Sequence, residues 1–171
     1  MAPAVLHRII HGSSTPEPWQ KALISSSRPA ILPGYRRHRV HYADYPAVIA
    51  SSNPPNKDNS VLGVVVTGIT EGDVFRLDRF EGPEYEKHAV RVKVIKTDSS
   101  QKGRGGVNRR TLDQTASADC HDEQEEMEEI DATTYVWIAS TDALDLTQEW
   151  DFEHFKREKL QWWVEADESE L

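Results

Sequence analysis

The spacing of apolar residues along the chain predicts four helical segments. Apolar side chains recur at helical spacing over Pro3–Ile10, over a short turn at Trp19–Ile24 and over Trp150–Val164. A further helix is predicted to begin after Thr70, a suitable N-cap because Asp73 follows three residues later and completes an Asp variant of the capping box.

Short β-branched and aromatic runs between turn residues predict six strands. Alternation of apolar and polar residues is clearest where Val90, Val92 and Val94 mark a half-buried strand. Ser51–Ser60, rich in Ser, Asn and Pro, is predicted to be a loop. The predicted strands are Pro29–Leu32, Tyr35–Tyr42, Pro46–Ala50, Val61–Thr67, Tyr85–Ile95 and Thr133–Ala139.

Length and composition predict one domain with additional segments outside its core. The chain has 171 residues, of which 37% are hydrophobic and 29% charged. This hydrophobic fraction is low for a domain of this size. Residues 97–131 hold a Gly-rich basic piece followed by an acidic run, and we interpret them as a low-complexity charged insertion in a domain spanning 1–164. Residues 165–171 form an acidic tail. An alternative function for the insertion is docking of a protein partner.

Charge and cysteine content exclude several classes of protein. The net charge of −9 argues against nucleic-acid binding, which usually needs a basic surface. No apolar run is long enough for a membrane helix and no signal peptide is visible, so no membrane association is expected. The single cysteine, Cys120, excludes an intrachain disulfide and favours a cytoplasmic location. A nucleophilic pair of Cys120 with His121 is conceivable, but a solvated thiol is the simpler interpretation.

Glu81 is the strongest candidate for chemistry. The helix that begins after Thr70 is predicted to end there, and Gly82-Pro83 then redirects the backbone. Phe80 and Tyr85 flank the carboxylate, and loss of hydration raises a carboxyl pKa. A carboxyl group with a pKa near neutral can both accept and donate a proton, so Glu81 is predicted to be a general acid/base.

Other kinds of site have weaker support. His7 and His11 lie four residues apart on the first predicted helix, but no third metal ligand accompanies them, so no metal site is predicted. Asp78 lies one helical turn before Glu81, which leaves a glycosidase-like carboxylate pair as an alternative. Otherwise Asp78 and Glu84 are expected to be solvated or paired with basic neighbours.

Several motifs, in their order along the chain, resemble the gamma-glutamylcyclotransferase-like family and particularly its avirulence-induced, AIG2-like branch. Each motif alone is modest, and the ordered set is more specific. The motifs are LPGYR at Leu32–Arg36, DYPAV at Asp44–Val48, VLGVVV at Val61–Val66, LDRFEGPEY at Leu77–Tyr85 and YVW at Tyr135–Trp137.

This resemblance implies an α+β fold with a mixed, partly closed β-barrel flanked by helices. It implies that Glu81 catalyses intramolecular acyl transfer on a small γ-glutamyl amine or peptide, releasing 5-oxoproline without a cofactor. Tyr45, Tyr85 and Tyr135 are our candidates for the walls of the substrate pocket, from their aromatic character and their positions near turns.

The sequence departs from the family pattern at its start. Family members open with a strand ending in Tyr-Gly-Thr-Leu, and Met1–Leu6 resemble the residues that follow it. We therefore expect one strand and its oxyanion-binding amides to be missing. The alternative function is a catalytically inactive binding or stress-response interaction protein.

Overall fold

The computed structural model describes residues 1–24, 26–51, 59–96 and 126–165. Most of the expected charged insertion, including Cys120 and His121, lies outside these residues. So do most of the predicted Ser51–Ser60 loop and nearly all of the acidic tail. The single-domain boundaries therefore remain a prediction.

Five α-helices and seven strands form in the described residues. The predicted strands Pro46–Ala50 and Tyr85–Ile95 have the bounds that the sequence indicated. The helices are α1 Pro3–His11, α2 Pro18–Leu23, α3 Glu71–Glu81, α4 Phe152–Glu158 and α5 Leu160–Glu165. The strands are β1 Ser26–Pro33, β2 Tyr35–Val40, β3 Pro46–Ala50, β4 Ser60–Thr67, β5 Tyr85–Ile95, β6 Met127–Trp137 and β7 Leu144–Glu149.

The strands form two antiparallel sheets, so the expected α+β class is confirmed. One sheet has the order β4-β1-β5-β6 and the other the order β3-β2-β7. The long β5–β6 pair runs in register from Tyr85 opposite Trp137 to Ile95 opposite Met127. All pairs in the described part of the chain are antiparallel, and the two sheets do not close on each other. Among the described residues, the expected mixed, partly closed barrel is therefore replaced by two separate antiparallel sheets.

Three buried clusters hold these layers together. The first fills one face of the four-stranded sheet around Val94, which is fully buried. The second packs α1 against α4 and α5, with Val5, Phe155 and Trp163 at its centre. The third surrounds Trp137 and includes residues of β2, β3 and β6, so it joins the two sheets. Aromatic residues of the second and third clusters surround the end of α3.

Several predicted boundaries differ from the structure, and two of these differences change the organisation of the chain. β6 begins at Met127, so the expected insertion 97–131 is shorter by the residues that pair with β5. The predicted helix Trp150–Val164 is divided at Lys159, where φ is −122° and ψ is −28°, and its second half extends to Glu165. The acidic residues at the start of β6 were assigned to the insertion because their basic partners, Arg28 and Arg91, lie on other strands.

One strand was not predicted at all. β7 pairs with β2 through a register shift between His38 and Arg39. Only Leu144 of β7 is buried, so the segment lacks the apolar alternation by which a half-buried strand is recognised. Its pairing with β2 exists only in the tertiary structure.

Candidate active site

The candidate site lies at the carboxyl end of α3, and local sequence fixes both ends of this helix. The Thr70 side chain accepts a hydrogen bond from the Asp73 backbone N–H at 3.2 Å, and Asp73 accepts one from the Thr70 N–H at 3.0 Å. This is the predicted capping box. Gly82 follows the last helical residue with φ of +72°, a conformation that side-chain-bearing residues rarely adopt. Glu81 is therefore held at the helix end.

The Glu81 carboxyl is partly buried, and its pKa agrees with the direction that the sequence predicted. Burial raises this pKa from 4.5 to about 7, and the positive charge of the N-terminus acts in the opposite sense. Since the charged form loses hydration at this position, the proton is held more tightly. Glu81 can therefore exchange a proton near neutral pH.

Tyr85 lies close enough to Glu81 for their charges to interact. Burial is the main cause that raises the Tyr85 pKa, and the negative charge of Glu81 comes next. The Tyr85 hydroxyl donates a hydrogen bond to the Pro46 carbonyl oxygen at 2.9 Å, and its ring meets Trp137 edge to face at 5.2 Å. Tyr85 is thus neutral and tied to β3 by its hydroxyl, close to the end of α3.

The Tyr135 side chain is connected to the same region by a hydrogen bond to Asp78. Its hydroxyl donates a hydrogen bond of 2.7 Å to Asp78 Oδ1, and Lys87 Nζ lies 2.8 Å from Asp78 Oδ2. Burial, the bond to Asp78 and the charges of Asp78 and Glu81 all raise the Tyr135 pKa. The bonds to Lys87 and Tyr135 lower the Asp78 pKa, so Asp78 stays ionised while Glu81 exchanges protons. This contrast gives Asp78 a structural role and leaves little support for a glycosidase-like pair.

Tyr45 belongs to the aromatic layer behind the site. Its ring meets Trp163 edge to face at 6.3 Å, and Phe80 meets the same indole at 6.1 Å. Burial and the charge of Glu84 raise the Tyr45 pKa. The structure therefore brings Tyr45, Tyr85 and Tyr135 to one region around Glu81, and their contact with substrate stays a prediction.

Sequence reasoning missed Trp163 as the residue that unites this layer. Its ring packs on Phe155 at 6.1 Å as well as on Tyr45 and Phe80, and its carbonyl oxygen accepts a hydrogen bond from Arg8 at 2.6 Å. The periodicity of the C-terminal helix placed Trp163 in the core, but nothing local showed that it faces the end of α3.

The histidine pair is a less convincing site. The rings of His7 and His11 stack with centroids 5.6 Å apart on α1. Burial, then the charges of His11 and Lys21, lower the His7 pKa. Within the part of the chain that the structure describes, no group of three or more His, Cys, Asp or Glu side chains is placed to hold a metal.

The helices carry one further finding. No helix within residues 1–24, 26–51, 59–96 and 126–165 is long and apolar enough to cross a bilayer.

Comparison with known proteins gives one family. AIG2-like protein B of Arabidopsis thaliana is 31% identical over 137 residues, covering 80% of this chain and 59% of that protein. AIG2-like protein D of the same plant is 33% identical over 134 residues, covering 78% of this chain and 66% of that protein. The solution structure of another Arabidopsis thaliana protein is 25% identical, with a TM-score of 0.45 and coverage of 87% of this chain and 72% of that one.

The family model described as gamma-glutamyl cyclotransferase, AIG2-like matches residues 11–153, which include α3, Glu81 and the three tyrosines. The chain therefore belongs to the gamma-glutamyl cyclotransferase, AIG2-like family.

Proposed function

We propose that this protein is a gamma-glutamylcyclotransferase that converts a γ-glutamyl amine or peptide into 5-oxoproline and a free amine. Glu81 is the general acid/base in this proposal. The observation that carries it is the partly buried Glu81 carboxyl with its pKa of about 7, held at a fixed helix end where its charge acts on Tyr85 and Tyr135. Membership of the family supports the reaction class.

The proposed reaction needs two proton transfers through Glu81, a third to water, and no other reactant. The Glu81 carboxylate takes a proton from the substrate α-ammonium, and the resulting amine attacks the γ-carbonyl carbon. A carbon–nitrogen bond forms to close the five-membered ring, and the negative charge moves to the carbonyl oxygen. When this tetrahedral intermediate collapses, the original γ-amide bond breaks and Glu81 returns its proton to the leaving nitrogen. The ring nitrogen, which carries a positive charge after the attack, loses its extra proton to water.

A single acid/base suffices because the attack is already intramolecular. The enzyme gains most by holding the substrate in its curled conformation and by supplying a group that changes protonation near pH 7. A carboxyl with an ordinary pKa would stay ionised and protonate the leaving amine poorly. The hydroxyls of Tyr85 and Tyr135 already donate to Pro46 and Asp78, so we propose that their rings shape the pocket.

The direct test is release of 5-oxoproline from γ-glutamylalanine and γ-glutamylmethylamine by the purified full chain. We expect kcat/KM to rise with pH through about 7, because Glu81 must be deprotonated to accept the first proton. Glu81→Gln should lower the rate by about 10²- to 10⁴-fold. Glu71→Gln is the matched control, since Glu71 lies exposed in the first turn of the same helix. Equal rates for wild type and Glu81→Gln would refute the assignment.

A second candidate function is binding without turnover. The observation that favours it is a cavity of about 410 Å³ between β2 and β7 whose lining includes neither Glu81 nor any of the three tyrosines. If no γ-glutamyl compound yields 5-oxoproline while the chain still binds a small molecule, this second function replaces the first. We propose the cytoplasm as the compartment in either case, because the single cysteine favours a reducing setting.

A further inference from the structure

The last turn of α3, residues 78–81, carries the proposed acid/base, but no hydrogen bond fixes the Glu81 carboxyl itself. Among the described residues it accepts none, and what acts on it is burial and the charge of the N-terminus. The position of the carboxyl is therefore set by the backbone of the turn that carries it. The contacts that fix this turn decide how much water reaches Glu81.

Asp78 fixes the turn through its backbone. Its carbonyl oxygen accepts a hydrogen bond of 3.1 Å from the N–H of Gly82, the residue that follows Glu81. Gly82 has φ of +72°, so the chain leaves the helix there. This bond closes the turn that contains Glu81, and the position of that turn therefore depends on the position of Asp78.

The Asp78 side chain connects the same turn to two strands. Lys87 Nζ of β5 lies 2.8 Å from its Oδ2, and the Tyr135 hydroxyl of β6 donates a hydrogen bond of 2.7 Å to its Oδ1. Lys87 and Tyr135 lie directly opposite each other in the β5–β6 ladder, so their side chains leave the sheet on one face. Each carboxylate oxygen thus has one donor from a cross-strand pair. We name Asp78, Lys87 and Tyr135 the α3 clamp.

Aromatic packing holds the other side of the turn. The Phe80 ring meets Trp163 edge to face at 6.1 Å. Successive helical residues are rotated by about 100°, so Glu81 projects between Phe80 and Asp78. Ring packing has weak directional preference, whereas two hydrogen bonds to one carboxylate fix its orientation. The α3 clamp is therefore the contact that sets the rotation of this turn.

We propose that Asp78 is a positioning residue, whose α3 clamp holds the last turn of α3 against β5 and β6 and thereby keeps the Glu81 carboxyl partly dehydrated. The effect of this positioning on catalysis rests on the proposed function, whereas its effect on Glu81 does not. Opening of the clamp lets water reach the carboxyl and stabilises its ionised form. A displacement of about 1 Å at a reacting group can cost about 10²-fold in rate.

Positioning and simple charge interaction make opposite predictions for Lys87. Lys87→Met removes a positive charge, which by itself raises the pKa of a nearby carboxyl. The same substitution opens the α3 clamp, which hydrates Glu81 and lowers its pKa. Arg79→Gln is the matched control, because it removes one positive charge from an exposed residue of the same turn that lies outside the clamp. Tyr135→Phe opens the clamp without a change of charge.

The test is the Glu81 pKa in the full chain, measured from its side-chain carboxyl carbon signal in NMR spectra over about pH 4–9. We expect Lys87→Met and Tyr135→Phe to lower this pKa from about 7 by about 0.5–1. Asp78→Ala should show the largest fall, because it also removes a negative charge. Arg79→Gln should leave the pKa unchanged or raise it. An unchanged pKa in Tyr135→Phe, or a pKa that rises in Lys87→Met as in Arg79→Gln, would overturn the proposal.

Other charges in this region stay constant in all of these variants. The N-terminus acts on Glu81, and Glu84 acts on Tyr45 and Tyr85. Lys87→Arg keeps a cationic donor and should keep the Glu81 pKa closer to the wild-type value than Lys87→Met does.

Urea unfolding of each variant separates positioning from stability. The Asp78 and Lys87 side chains are 40% and 41% exposed, and exposed ion pairs contribute little to stability, so the variants should fold. A clamp variant that lowers the urea midpoint but leaves the Glu81 pKa unchanged would show a purely structural role and overturn the proposal.

Steady-state kinetics with γ-glutamylalanine relates the α3 clamp to catalysis. Lys87→Met and Tyr135→Phe should lower kcat about tenfold or more and change KM by less than about twofold, because the acid/base moves while the groups that bind substrate stay in place. The pH midpoint of kcat/KM should fall with the Glu81 pKa.

The NMR measurement needs no turnover, so failure of this proposal and failure of the proposed function are distinguishable. If the clamp variants lower the Glu81 pKa while no γ-glutamyl compound yields 5-oxoproline, the positioning role stands and the proposed function fails. If 5-oxoproline is released and the pKa is the same in all variants, the proposed function stands and the positioning role fails.

Discussion

Replacement of Glu81 by Gln should stabilise the protein at alkaline pH while it removes the proposed catalytic group. The wild-type carboxyl is partly buried, and its pKa is raised by that burial from 4.5 to about 7. Gln has nearly the same shape and no charge to desolvate. The substitution therefore removes the free-energy cost of desolvating the carboxylate, which the wild-type protein incurs only when Glu81 is ionised.

The direction of this pH dependence follows from whether the folded or the unfolded chain holds the Glu81 proton more tightly. Because the folded-state pKa lies above the unfolded value, folding is favoured by proton binding at Glu81. This contribution is fully present below about pH 4.5 and is lost as the pH rises through about 7. The stability difference between Glu81→Gln and wild type should be small at pH 4.5 and largest above pH 7.

The size of the effect follows from the same pKa values. One pKa unit corresponds to about 1.36 kcal/mol, so a rise from 4.5 to about 7 corresponds to about 3 kcal/mol. The carboxyl keeps part of its hydration, so about 3 kcal/mol is an upper value and about 2 kcal/mol would also agree with the reasoning.

Urea unfolding followed by tryptophan fluorescence can measure this difference, since the chain has five tryptophans and Trp163 is buried in the aromatic layer beside α3. Unfolding free energies of wild type, Glu81→Gln and the exposed control Glu71→Gln would be compared at pH 4.5, 6, 7 and 8 under one salt concentration. A difference between Glu81→Gln and wild type that does not grow with pH, or that equals the Glu71→Gln difference, would refute the argument from burial. A more stable but inactive Glu81→Gln protein would also show that loss of activity is not loss of fold.

Three further substitutions test other parts of the structure. Gly82→Ala should destabilise by about 1–2 kcal/mol in urea unfolding, because Ala disfavours the φ of +72° at this position, and an unchanged midpoint would contradict that role. Tyr135→Phe should lower the urea midpoint by removing the hydrogen bond to ionised Asp78, with the loss absent when Asp78→Ala has already removed the acceptor. Val94→Ala should cost about 2 kcal/mol because Val94 is fully buried, whereas Val64→Ala, at a residue 50% exposed, should cost under about 0.5 kcal/mol.

The local features of the candidate site could be predicted from the sequence. The capping box of Thr70 and Asp73 and the glycine at 82 fix the ends of α3 through contacts within a few residues. Glu81 follows Phe80 at the end of an amphipathic helix, and this was enough to indicate a partly desolvated carboxyl. The raised pKa of Glu81 agrees with that prediction.

The partners of these residues could not be predicted, because they are distant in sequence. Tyr85 donates to Pro46 across 39 positions, and Tyr135 to Asp78 across 57. Aromatic character suggested that these tyrosines lie in walls, but their hydroxyl partners depend on how β3, β5 and β6 are arranged. The cavity between β2 and β7 was missed for the same reason, since part of its lining belongs to the unpredicted strand β7.

The beginning of β6 shows why local features could be predicted from the sequence and long-range partners could not. Alone, its acidic residues resemble part of the insertion, but they lie on a strand that pairs with β5, and Glu128 lies 2.8 Å from Arg28 of β1. The sequence by itself determined α1 to α3, most of the strands and the identity of the exceptional acid, because hydrophobic periodicity and capping act over a few residues. Only the tertiary structure decided strand register, charge pairing and the surroundings of Glu81, because those energies arise between residues that meet only when the sheets and helices pack.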